Sequence, residues 1–61
     1  MSSRKQTIQS LRIASRSATE AESHLEVAAG LRYVNAGQRE RFVGELKGIQ
    51  RMLFRLIQNL P

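Results

Sequence analysis

A chain of 61 residues makes at most one small domain, and near that length folding buries only about 60% of the surface that the unfolded form exposes. With no cysteine and one histidine, disulfide and structural-metal staples are excluded, so association with further chains is the expected source of stability. Ten Lys and Arg against five acidic residues give a net charge of +5, which leans toward acidic partners or nucleic acid, although many small basic proteins have neither.

The polar start Met1-Ser2-Ser3-Arg4-Lys5-Gln6 is not followed by the apolar core of a secretion signal, and the lack of cysteine fits a reducing compartment, so a cytoplasmic protein is the default expectation. No apolar run approaches the roughly 18 residues needed to cross a bilayer, which implies a soluble chain.

A first helix is expected over about 3–30. It can begin at Ser3, whose hydroxyl is placed to accept from the Gln6 amide while the Gln6 side chain reaches back. Gly30 is well placed to close it, because glycine tolerates the left-handed conformation of a last turn, though the boundary could fall two residues later. Ile8, Leu11, Ser15, Ala18, Glu22, Leu25 and Ala29 recur in alternating steps of three and four and define a narrow seam.

The only concentration of turn signals follows, with Gly30, Asn35 and Gly37 flanking Leu31-Arg32-Tyr33-Val34 and a turn expected over about 31–35. A second helix over about 36–60 can be capped by Asn35 with Gln38. Its seam reads Phe42, Leu46, Ile49, Leu53, Leu56 and Leu60, and the single proline, Pro61, interrupts nothing.

A short connection makes the helices antiparallel neighbours. The fold class is therefore all-α: a two-helix hairpin, expected to assemble into a four-helix bundle by self-association. Folding about the turn sets Leu25 against Phe42, Ala18 against Ile49, Ser15 against Leu53, Leu11 against Leu56 and Ile8 against Leu60, small residues facing large ones. The first helix brings little apolar surface to this seam, while Ile13, Val27, Val43, Met52, Phe54 and Ile57 lie beside or opposite it and point to a second interface. Core and oligomer interface are expected to share Ile8, Leu11, Ala18, Leu25, Phe42, Leu46, Ile49, Leu53, Leu56 and Leu60.

The stretch from Ala18 through Ala28, with Glu20-Ala21-Glu22-Ser23-His24-Leu25, and the following Leu31-Arg32-Tyr33-Val34 resemble the third helix and turn of the four-helix-bundle proteins encoded in ribosomal RNA intervening sequences. The run Leu46-Lys47-Gly48-Ile49-Gln50-Arg51-Met52-Leu53, continuing to Leu56-Ile57, is similar to that family's last helix. Family members are about twice as long as this chain, which resembles the C-terminal half of a bundle. Their turn usually places glycine just before the tyrosine, where Arg32 stands here. The resemblance implies an all-α bundle, often assembled into rings, without established catalytic activity. It also extends to a basic accessory protein of diversity-generating retroelements that associates with a reverse transcriptase and RNA.

Glu20, Glu22, His24 and Glu26 are the only cluster suited to acid-base or metal work. Glu20 and Glu22 point to nearly opposite sides of a helix, and Ala21 holds the place three before His24 where a bundle metal site has glutamate, so neither a catalytic residue nor a metal or other cofactor is expected. Glu22 sits in the seam and must either reach water at its edge or pair across an interface with an arginine or tyrosine. Lys47, Arg51 and Arg55 recur every four residues as an outward stripe, with Arg12 and Arg16 at comparable heights on the first helix. This is a charged solubilising face or a surface that tracks phosphates. No phosphate loop or nucleophile beside a base is present. A basic helix on a membrane surface ranks third, since the chain has no tryptophan for an interface. The expectation is a non-catalytic homo-oligomeric module, with a nucleic-acid-binding accessory module as the alternative.

Overall fold

The computed structural model describes residues 3–61; Met1 and Ser2 of the polar start lie outside them. Two helices follow one another, α1 at Arg4–Gly30 and α2 at Ala36–Gln58, and pack against each other as an all-α hairpin.

Both helix starts are built by the same device. The Ser3 hydroxyl accepts from the Gln6 amide at 3.1 Å and the Gln6 side chain accepts from the Ser3 amide at 2.9 Å; Asn35 and Gln38 repeat the exchange at 2.8 and 2.9 Å. Each box satisfies donors that a helix start leaves orphaned. The first turn of α1 contains no acidic residue, so Arg4 and Lys5 lie unfavourably at the positive end of the helix dipole, whereas Arg55 lies favourably in the last turn of α2.

The first helix ends at Gly30 as expected, but Gly30 does not supply the left-handed residue. No glycine among the described residues takes a positive φ; Arg32 does, at 64°. The Arg32 amide donates to the Ala29 carbonyl at 3.0 Å and the Tyr33 amide to the Ala28 carbonyl at 2.9 Å, the paired bonds of a Schellman motif whose left-handed residue is Arg32. The motif places that conformation two residues beyond Gly30, at the position where the resembled family usually carries glycine.

The hairpin is a rod of 43 × 15 × 14 Å with a radius of gyration of 14.2 Å, well above the roughly 10.5 Å of a compact domain of this length. Its interior is one line of contact. Only Ala18 and Leu53, each 7% exposed, are buried apolar residues among those described. On α1 the contact line follows the predicted seam, with Ile8, Leu11, Ser15, Glu22, Leu25 and Ala29 all half-buried around Ala18.

On α2 the line is turned relative to the prediction. Leu46, Leu53 and Leu60 face α1 as expected, but their seam companions are Val43, Gln50 and Ile57, which are half-buried. Phe42, Ile49 and Leu56 stand one step further round and are exposed, so as residues of the core within one hairpin they are corrected. Either set completes a three-four rhythm with Leu46, Leu53 and Leu60, so periodicity could not separate them. Val43, Gln50 and Ile57 have slimmer side chains than phenylalanine, and the Gln50 side-chain amide finds a partner across the seam, donating to the Thr19 hydroxyl at 2.8 Å.

Thr19 with Gln50 near mid-rod, and the Glu26–Arg39 ion pair nearer the turn, hold the register. Thr19 and Gln50 each stand one residue from the predicted layer of Ala18 and Ile49, while Glu26 stands one residue and Arg39 three from the predicted layer of Leu25 and Phe42.

Candidate functional site

Two flanks of the hairpin differ sharply in chemistry, and the Thr19–Gln50 hydrogen bond orients them. It places the side of α1 that carries Thr19 beside the side of α2 that carries Gln50. In an antiparallel pair the remaining two sides then share the opposite flank.

That opposite flank is apolar. On α2 it is the row Phe42, Glu45, Ile49, Met52, Leu56 and Asn59, spaced three and four apart, which lies roughly 110° round the helix from the seam toward α1. Phe42 is 39% exposed, Ile49 43%, Leu56 47% and Met52 54%. A helix with two such seams is suited to two neighbours, as in a four-helix bundle. On α1 the same flank carries small side chains, Ala14, Ser17, Ala21 and Ala28, interrupted by His24. The Ser17 hydroxyl donates to the Ile13 carbonyl of its own helix at 3.0 Å, so covering it would leave no donor without a partner.

The flank of Thr19 and Gln50 is cationic at the open end of the rod. Arg12 and Arg16 stand seven and three residues before Thr19; Lys47 and Phe54 stand three before and four after Gln50, with Arg51 and Arg55 turned further out. All five of the predicted basic residues are exposed, and none takes part in an ion pair among the described residues, where the pairs are Glu26–Arg39 and Arg41–Glu45. The reason is a lengthwise segregation of charge. Glu20, Glu22, Glu26, Glu40 and Glu45 all fall in the half nearer the turn, together with Arg32, Arg39 and Arg41. Arg4, Lys5, Arg12, Arg16, Arg51 and Arg55 occupy the open half without an acidic side chain, and Lys47 stands at its edge, level with Glu20.

Within that half lies an aromatic residue that the spacing of the basic side chains alone does not mark. Phe54 is 61% exposed and lines a shallow depression with Lys47, Gln50, Arg51 and Arg55. Its position one residue before Arg55 and three after Arg51 was the available signal.

Glu22 is half-buried and forms no ion pair among the described residues of the hairpin, where Glu26 holds Arg39. The hydrogen bond and charge of Glu26 raise the Arg39 guanidinium pKa above its ordinary value, with smaller contributions from Glu40 and Glu22. Glu20 and His24 are both exposed. Among the described residues no three His, Cys, Asp or Glu side chains converge, and no helix is long and apolar enough to cross a membrane.

The fold and these two flanks define a class, an all-α helical hairpin with one apolar and one basic side. No family model, curated protein or solved structure matches the chain, so the resemblance to the intervening-sequence bundles stands on the residues quoted for it.

Proposed function

We propose that this chain is a non-catalytic interaction module that works as a homo-oligomer, most simply a dimer of hairpins forming a four-helix bundle, in the cytoplasm. One observation carries the reading. The hairpin exposes 5022 Å² for a mass of 6.9 kDa, about 1,000 Å² more than a compact monomer of that mass. A standard interface covers about 800 Å² per partner. The excess is therefore of the size that one partner removes, and the row from Phe42 to Leu56 supplies the apolar surface for it. The bundle architecture implied by the intervening-sequence resemblance agrees. Light scattering at micromolar concentration tests the proposal: a mass of twice the chain or more supports it, and a folded monomer refutes it.

A second reading, a nucleic-acid-binding accessory module, is favoured by exposed Phe54 among Lys47, Arg51 and Arg55, cations that form no ion pair among the described residues. Exposed arginines around an aromatic side chain suit single strands, whose bases stack while phosphates meet cations. A labelled single-stranded oligonucleotide should then be retained at low salt, less so as salt rises, and much less when Arg12, Arg51 and Arg55 become glutamine. Absence of retention at low salt removes this reading.

A further inference from the structure

The apolar flank has an internal symmetry that selects one arrangement of two copies. On α2, Phe42 and Leu56 lie seven residues either side of Ile49; on α1, Ala14 and Ala21 lie equally spaced about the junction of Ser17 and Ala18. The two centres are at about the same height, because the Gln50–Thr19 bond and the Arg39–Glu26 pair together set Ile49 level with the stretch between Arg16 and Glu20, whose middle is Ala18. A two-fold axis crossing the rod there would relate these residues to one another in pairs. It would set Phe42 of one copy opposite Leu56 of the other, Ile49 on Ile49, and Ala14 on Ala21.

We infer that the partner covering this flank is a second copy of the chain, lying antiparallel with its turn at the opposite end. The inference rests on the dimer proposed above and adds its geometry. Charge decides against the other two-fold arrangement, with both turns at one end, since that would stack one basic half, without an acidic side chain, on another. The opposed arrangement instead lays each basic half along the partner's nearly neutral half, where the five glutamates offset Arg32, Arg39, Arg41 and Lys47, and so avoids the repulsion. Side-chain size raises no objection, for α1 meets α1 through alanine and serine and α2 meets α2 through large residues. Helix separations of 8–10 Å accommodate both kinds of contact.

The test uses the absence of native cysteine. Tyr33→Cys, in the exposed turn, takes a nitroxide label, and the distance between labels in the dimer is measured by pulsed electron resonance. A rod 43 Å long with turns at opposite ends gives about 35–45 Å between labels, against about 10–20 Å for turns at one end. As a second variant, Ser17→Cys copies should join to one another under mild oxidation, since the axis brings those positions within the roughly 7 Å between Cα atoms that a disulfide spans. A dimer with the short label distance overturns the arrangement and leaves the dimer standing. So does a long distance with Ser17→Cys copies that never join. A monomer under all conditions overturns both proposals.

Discussion

Replacing Arg32 by glycine should raise the stability of the hairpin, and the magnitude follows from the end of α1. Arg32 is held at a φ of 64° by amide bonds to Ala29 and from Tyr33 to Ala28. The left-handed region costs a residue with a Cβ about 1–2 kcal/mol. Glycine returns about 0.5–1 kcal/mol of that through the greater entropy of its unfolded chain. The Arg32 side chain is exposed and forms no ion pair among the described residues, so the net gain is about 0.5–1 kcal/mol. For so small a domain this raises Tm by about 2–8 °C. Gly30→Ala is the companion variant. Gly30 is helical, a Cβ there would meet no atom within 4 Å, and alanine should add about 0.5–1 kcal/mol. Both are measured by thermal melts in circular dichroism at one fixed protein concentration, because association makes Tm concentration-dependent. If Gly30 were the left-handed residue, as its sequence position suggested, Gly30→Ala would destabilise and Arg32→Gly would do nothing; that pattern refutes the assignment.

Three further outcomes follow from the seam and the apolar flank. Leu53→Glu places an unpaired carboxylate at one of the two buried apolar positions and should unfold both helices, a loss of several kcal/mol that far-UV circular dichroism would register; retained helicity would contradict the seam. Ile49→Asp should weaken self-association at least tenfold, about 1.4 kcal/mol, whereas Phe54→Asp, at an exposed apolar residue on the opposite flank, should leave it unchanged; equal effects in sedimentation velocity would deny the row its role. Gln50→Leu removes one exposed hydrogen bond worth about 0.5–1.5 kcal/mol and adds apolar burial of similar worth. Thr19 keeps its bond to the Ser15 carbonyl, so urea unfolding should show a change within about 1 kcal/mol, and a larger loss would show that the pair holds more than register.

Local chemistry made the helices legible. Ser3 with Gln6 and Asn35 with Gln38 are reciprocal caps that depend on four residues apiece, and the structure carries both. The register was legible too, because a short turn leaves little freedom in how two rods align. What periodicity could not decide was the face of α2. Phe42, Ile49 and Leu56 and their neighbours Val43, Gln50 and Ile57 flank the same three leucines, and the choice between them depends on side-chain volume and on a partner for the Gln50 amide, which only the packed pair supplies. The left-handed residue was misplaced for a related reason: glycine permits that conformation at position 30, but the hydrogen-bond geometry of the turn demands it at position 32 whatever residue stands there. Of the candidate sites, the basic residues could be named from spacing alone. That none of them pairs with a glutamate among the described residues emerged once the hairpin had folded the two ends of the chain together.

Sedimentation equilibrium of the unmodified chain, carried from tens of micromolar to the lowest detectable concentration with helicity followed in parallel, tests most directly whether the row from Phe42 to Leu56 exists to be covered by another copy. The account predicts a species of at least twice 6.9 kDa that loses mass and helicity together on dilution. A particle of single-chain mass that keeps its helices throughout would contradict it.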